Sequence, residues 1–186
     1  IKNINEQDAY LITGSPLSVR DNLSFLPQLY DFIIKCDKSK KPLLGVCFGH
    51  QAIAVALGGE VKKSSNRWNV GIEKTSIKTF KTWMLPKKDL DLYVFHEDEV
   101  VTLPEHCTHL GESNNSKYVS FSKGKHIFTT QAHPEFTDRF MRALIEDNKT
   151  MLGNKSYHST LISINKKQDG KTFAKWTDNF FKEALS

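Results

Sequence analysis

Ten residues, Pro42-Leu43-Leu44-Gly45-Val46-Cys47-Phe48-Gly49-His50-Gln51, restrict what this chain can fold into more than any other stretch. Leu43–Val46 is a short apolar run bounded by Pro42, the pattern of a buried strand. Residues 48–57 have helical spacing, with Ile53 and Leu57 four apart, and stop at Gly58-Gly59, an ordinary helix end. Cys47 therefore sits on a sharp strand-to-helix turn, with Gly45 and Gly49 two residues either side. That is the layout of a nucleophile elbow with cysteine in place of serine. The free N–H groups and positive dipole end of the helix favour a thiolate, and cysteines so placed have pKa values of roughly 3.5–7.5. The next backbone N–H, that of Phe48, can point at an oxyanion. A lone cysteine beside a tight turn is more simply a buried structural residue. The two glycines and the strand-turn-helix setting favour the nucleophile.

Upstream, residues 9–13 form a β-rich run that ends in the turn cluster Gly14-Ser15-Pro16. Ser24 is a candidate cap for the next helix, with Pro27 in its first turn and Leu26, Tyr30, Ile33 and Ile34 on its apolar face. Strand-helix-strand-helix is the signature of a parallel sheet with crossover helices. The middle of the chain changes character. Residues 70–77 and 90–95 are β-rich, and residues 118–121 and 126–131 read as strands joined by the hairpin loop Ser122-Lys123-Gly124-Lys125. A helix is expected from about Asp138, carrying Phe140, Leu144 and Ile145. Residues 153–170 are polar and read as an irregular loop. Phe173, Trp176, Phe180 and Ala184 share one face of a last helix that should dock on the core.

Composition excludes several classes. With 186 residues, 39% hydrophobic and 25% charged, the chain fits a globular protein of one domain, residues 1–186. No apolar run approaches the ~20 residues of a membrane span, so no membrane partner is expected. Cys36, Cys47 and Cys107 make no disulfide framework, which points to a reducing compartment, the cytoplasm. The net charge of +5 is mild. Its densest cluster, Lys35, Lys38, Lys40 and Lys41, reads as a solvated loop, and no nucleic-acid motif accompanies it. His106-Cys107-Thr108-His109 offers three candidate ligands at tight spacing without an obvious fourth; it reads as a surface loop, and no metal or cofactor is expected. Cys36 should lie on a helix face or its end. Neither Cys36 nor Cys107 has a helix N-terminus behind it, so Cys47 should be the reactive thiol.

A thiolate nucleophile needs a base, and the base needs an orienting group. Two histidines lie in the pattern His-x-acid: His96-Glu97-Asp98 and His133-Pro134-Glu135. In extended backbone, residues i and i+2 face the same side, so either pair can set a carboxylate beside its imidazole. Pro134 stiffens the second pair. His133 also lies just past a strand end and before a helix, where the active sites of parallel sheets collect. These points favour His133 as base and Glu135 as its partner.

Gly45-Val46-Cys47-Phe48-Gly49-His50-Gln51 together with Gln131-Ala132-His133-Pro134-Glu135 resembles the class I (triad) glutamine amidotransferases, whose pattern is G-x-C-x-G-x-Q and then H-P-E. Gly14-Ser15-Pro16-Leu17-Ser18-Val19 is similar to the family's G-G-P-x-S-V oxyanion loop, and His96-Glu97-Asp98-Glu99-Val100 to its H-G-D-x-V segment. The resemblance implies that Cys47 attacks a γ-glutamyl amide and that His133 moves the proton. Glu135 then orients His133. The loop at Gly14 and Ser15 holds the oxyanion together with Phe48, and Gln51, Phe95 and His96 hold the amino-acid end of the substrate. It also implies a three-layer α/β/α sandwich, flavodoxin-like, with a mostly parallel central sheet and additional antiparallel strands.

Two positions depart from the pattern. Ser15 replaces the second glycine of the oxyanion loop, and Glu97 replaces the glycine of H-G-D. With Asp98 and Glu99, Glu97 makes an acidic rim that would suit an α-amino group or repel a second carboxylate. The family's opening strand, helix and strand lie before the G-G-P loop, so residues preceding Ile1 are expected. Three functions remain open: a free-standing hydrolase of glutamine or γ-glutamyl peptides, a glutaminase subunit that feeds ammonia to a separate synthase, and a non-catalytic binding module.

Overall fold

Short aliphatic and β-branched runs become strands, and amphipathic runs become helices. The computed structural model describes residues 3–65 and 67–186. In chain order it runs β1 (Tyr10–Ile12), α1 (Leu26–Lys38), β2 (Leu43–Val46), α2 (Phe48–Ala56), β3 (Glu60–Lys63), β4 (Asn69–Ile77) and β5 (Asp89–His96). It continues with β6 (Asp98–Thr102), β7 (Cys107–Glu112), β8 (Ser120–Lys123), β9 (Ile127–Thr130), α3 (Asp138–Asp147), α4 (Lys149–Ser163) and α5 (Gly170–Leu185). Seven strands form one sheet in the order β1-β2-β9-β8-β7-β4-β5, and β3 pairs with β6 in a second, antiparallel sheet.

The large sheet is mixed rather than mostly parallel. β1 with β2 and β2 with β9 are parallel. The remaining four pairings are antiparallel. Sequence periodicity cannot distinguish these cases, because a strand buried on both faces reads the same in either direction.

Alternation along β2 and β9 builds two cores. Leu43 and Ile127, paired in register, pack with Ile33 and Cys36 of α1 and Ala52 and Ile53 of α2. Leu44 and Phe128, the next pair, face Trp83 and the α5 residues Phe173, Trp176 and Phe180. The aromatic stripe of α5 thus covers the sheet face opposite α1 and α2. A third cluster seats Met141, Ile145, Leu152 and Tyr157 of α3 and α4 on Tyr93 of β5. Three strands separate β9 from β5, yet the N–H groups of His133 and Asp169 donate to the carbonyls of Tyr93 and Asp91, each at 2.7 Å. The sheet must therefore curl, and the curl brings the end of β5 back to the carboxyl end of β9.

Several local expectations change. Ser24 does not cap α1; Phe25 stands at the N-cap without a side-chain hydrogen bond, and Pro27 lies in the first turn as expected. Ser122 and Lys123 extend β8, so the hairpin turn is shorter than the four residues expected. On α3 the buried residues are Met141 and Ile145, while Phe140 is exposed. Residues 149–163, largely expected as loop, form α4, broken by a kink at Gly153 with φ 73° and ψ 158°. Its apolar residues follow no single stripe, which is why periodicity missed it. Cys107 lies on β7, not in a loop. No helix among the described residues is long and apolar enough to cross a membrane.

Candidate active site

The chain turns from β2 into α2 at one residue. Cys47 carries that turn with φ 50° and ψ −103°, a conformation that residues with a side chain rarely adopt. It is held from both sides: its N–H donates to the Thr130 carbonyl (2.8 Å), and its carbonyl accepts from the Gln51 N–H (3.1 Å). The flanking glycines supply space rather than dihedral freedom. A Cβ on Gly45 would stand 2.6 Å from Ile53 Cδ1, and one on Gly49 would stand 2.1 Å from the Ile12 carbonyl oxygen. Phe48 opens α2, so its N–H is among the first-turn donors that have no partner within the helix.

His133 follows β9 and meets Cys47 across the ends of two adjacent parallel strands. Its Nδ1–H donates to Glu135 Oε1 at 2.7 Å, and its ring hydrogen-bonds the Cys47 side chain. Phe136 stacks on the imidazole, 4.0 Å between centroids and 12° between planes. Burial opposes the imidazolium, but the hydrogen bonds and charges of Cys47 and Glu135 outweigh it, and the pKa of His133 rises to about 9. Glu135 is half-exposed, while His133 and Cys47 are buried. A Cβ on Gly14 would lie 2.6 Å from His133 Cε1 and 3.6 Å from Cys47 Cβ, so the backbone of the Gly14-Ser15-Pro16 turn is set against both groups.

The segment that follows this turn is held by Asp98. The Ser18 hydroxyl donates to the Asp98 carboxylate, and Arg20 Nη1 pairs with it at 3.2 Å. Ser15 Oγ accepts from the Leu17 N–H at 3.1 Å, a local bond that closes the turn. The Asp98 carbonyl accepts from Gln51 Nε2 and from His96 Nδ1–H, both at 2.9 Å. His96 is buried, which is the first cause of its pKa falling to about 4, and its Nε2 has no hydrogen-bond partner among the described residues. Phe95, the third residue expected at the substrate, is half-buried with its ring edge-on to Trp68. The acidic rim is largely neutralised: Asp98 pairs with Arg20, and Glu97 pairs with Lys63 at 3.1 Å. Sequence reading did not single out Asp98 as this anchor, because its partners Ser18 and Arg20 lie about eighty residues away in the chain.

The decisive comparison concerns family. The family profile described as glutamine amidotransferase class-I matches residues 1–151. The chain belongs to that family. Gamma-glutamyl peptidase 3 of Arabidopsis thaliana is 29% identical over 152 residues, covering 77% of this chain and 61% of the relative. One of the subunits of a glutamine-hydrolysing GMP synthase, from Sulfurisphaera tokodaii, is 30% identical over 137 residues, covering 73% of this chain and 71% of the relative. The crystal structure of a glutamine amido transferase from Methylobacillus flagellatus superposes with a TM-score of 0.82 at 19% identity, covering 100% of this chain and 78% of that one, a likeness of fold. The chain spans about 61% of the length of the first of these relatives.

Elsewhere in this amidotransferase-family chain, the Cys107 and His109 side chains lie on β7, and His109 Nε2–H donates to the Gly111 carbonyl at 3.1 Å. No group of three or more potential metal ligands occurs among the described residues. A cavity of about 660 Å³ lies at the amino-terminal ends of β2 and β9, lined by Asp37, Lys40, His106, Lys123 and His126 among others. It touches none of Cys47, His133 and Glu135, and Asp37 neutralises its centre by pairing with Lys123 and His126, each at 2.8 Å.

Proposed function

We propose that this chain cleaves γ-glutamyl amide bonds through a thioester on Cys47. The observation that carries the reading is a strained Cys47 at a helix start, hydrogen-bonded to a histidine that Glu135 orients. His133 takes the Cys47 thiol proton, and the sulfur attacks as thiolate. A C–S bond forms at the γ-carbonyl, and the carbonyl oxygen takes the charge. The N–H groups of Phe48 and Ser15 stabilise that oxyanion, with Gly14 giving the turn its close approach. The C–N bond then breaks as His133 gives its proton to the departing ammonia or amine. Now neutral, His133 takes a proton from water as it attacks the thioester; the C–S bond breaks to release glutamate, and the proton passes from His133 back to the sulfur.

Gln51, Phe95 and His96 bound the substrate's amino-acid end in this reading. The orphan Nε2 of His96 is an acceptor that a substrate N–H would satisfy. The neutralised rim lowers the case for charge recognition by Glu97 and Asp98. The alternation of α1 and α2 against α5 about β2 and β9 favours a flavodoxin-like α/β/α layering at the parallel end. A free thiol nucleophile suits a reducing compartment, and we infer the cytoplasm.

The test is steady-state release of glutamate by the purified protein from glutamine and from several γ-glutamyl dipeptides, with Cys47→Ala as blank. Release from dipeptides above the blank supports a free-standing hydrolase, in line with the γ-glutamyl peptidases among its relatives. A second reading is a glutaminase subunit that delivers ammonia to a synthase partner, favoured by the Sulfurisphaera GMP synthase relative and by Ser15 in the oxyanion loop. Folded protein that releases nothing on any substrate selects that reading or a non-catalytic module. Addition of the synthase separates those two.

A further inference from the structure

Cys47 Sγ has a second polar neighbour besides His133. Gln131 is 1% exposed, and its side-chain Nε2 lies 3.5 Å from the sulfur. The direction of that amide follows from the groups behind it. The Asp98 carbonyl can only accept, so Gln51 must turn its NH2 end towards it (2.9 Å). The second hydrogen of that NH2 meets Gln131 Oε1 at 3.1 Å. Gln131 must then present its own NH2 to Cys47, because reversing it would set two NH2 groups face to face. Asp98 is itself anchored by Ser18 and Arg20, and the Gln131 backbone by its N–H to the Val119 carbonyl at 2.7 Å.

We propose that Gln131 is a positioning residue for the nucleophile, donating a side-chain N–H to the Cys47 thiolate along a relay that runs from Asp98 through Gln51. The inference deepens the thiol-nucleophile reading and rests on it. A donor fixed on the charged form stabilises that form and holds the sulfur in one rotamer, facing the attack direction. Gln51 on this account uses both amide hydrogens within the protein. Only its Oε1 is left for a substrate, so it can accept from a ligand and cannot donate to one. The other titratable groups around the sulfur are His133 with Glu135, on the segment after β9, His96 at the end of β5, Asp98 on β6 and His50 on α2. Burial keeps His96 and His50 neutral, with pKa values of about 4 and about 3, and Asp98 is paired with Arg20.

Two readouts test the relay without requiring turnover. The first uses the unaltered protein. In a 15N–1H spectrum followed with pH, one glutamine side-chain amide should shift with the same midpoint as iodoacetamide alkylation of Cys47, and the shift should vanish in Cys47→Ala. A shift that persists in Cys47→Ala reports His133 instead, and that outcome, or no shift at all, overturns the proposal. The second readout is the alkylation midpoint in variants. Cys36 and Cys107, raised to about 11 by burial, remain thiols and do not interfere. Gln131→Met keeps the volume and removes the N–H. Its midpoint should rise by about one pH unit, a tenfold loss of thiolate at a fixed pH below the midpoint. Gln51→Met, which never touches the sulfur, should move the midpoint the same way by less. A folded Gln131→Met protein with an unchanged midpoint would falsify the relay. The first readout stands even if that variant fails to fold. Absence of γ-glutamyl hydrolysis by the isolated protein would sink the free-standing hydrolase reading while leaving both readouts interpretable.

Discussion

At the scale of single residues, the three cysteines differ by environment rather than by chemistry. Burial raises Cys36 and Cys107 to about 11, whereas Cys47 stands at a helix start against a raised histidine. A γ-glutamyl chloroketone applied near neutral pH should therefore label Cys47 and spare the other two, read by peptide mapping; dominant labelling elsewhere would remove Cys47 from the mechanism. His133→Asn should lower turnover by about 10²–10⁴. His96→Asn should act mainly on KM, and an equal loss of kcat there would exchange the roles of the two histidines. Because the folded pKa of His133 is raised, its stabilising contribution is fully present below its ordinary value and is lost as pH rises through about 9. Proton delivery to the leaving nitrogen fails over the same range, so kcat should fall on that alkaline limb. A flat profile through it would mean that His133 is not the acid.

At the scale of elements, α2 is seated by the absence of two side chains. Gly49 lies against backbone, the Ile12 carbonyl, while the nearest atom to Gly45 is the end of a movable Ile53 side chain. Backbone cannot step aside as a side-chain tip can. Gly49→Ala should therefore cost about 1–3 kcal/mol and displace the elbow, and Gly45→Ala should cost a similar amount, because turning Ile53 still leaves Gly49 backbone atoms at 2.7 Å. Urea midpoints compare the two. Equal stability of Gly49→Ala and the parent would show that α2 does not lie so close to β1.

Across the whole molecule, two features make stability measurable in distinct ways. One is the aromatic layer under α5, in which Trp176 is 1% exposed and packs edge-on to Trp83. Trp176→Ala should cost about 3–5 kcal/mol in chemical denaturation, and a loss below about 1 kcal/mol would place α5 outside the cooperative core. The other is the pair of buried neutral histidines, His50 and His96, held at about 3 and about 4 chiefly by burial. Groups with lowered folded pKa values stabilise above the unfolded value, near 6.5. Stability should accordingly begin to fall as pH drops below about 6.5, well before most carboxylates titrate. Constant stability between about pH 6.5 and 5 would contradict their burial in neutral form.

Within the sequence, spacing marked Cys47 between two glycines, the strand before it, the helix after it and two His-x-acid pairs, of which Pro134 and a strand-end position favoured His133 with Glu135. These are short-range patterns, and the constraints that produce them act within a few residues. The stripe of Phe173, Trp176 and Phe180 was visible for the same reason, since a helix repeats every 3.6 residues whatever it packs against. The antiparallel β8–β9 hairpin was legible from its Lys-Gly-Lys turn, but the pairings of β7 with β8 and with β4 were not visible, nor was α4, whose kink at Gly153 interrupts any stripe. The surroundings of Cys47 were hidden too. Asp98, Gln51 and Gln131 meet only because the sheet curls and β5 returns to the end of β9, so contacts between residues 18, 51, 98 and 131 depend on long-range closure. Local sequence carries the propensity of each segment. Which carbonyl faces which amide across eighty residues is settled by the packing of the whole chain.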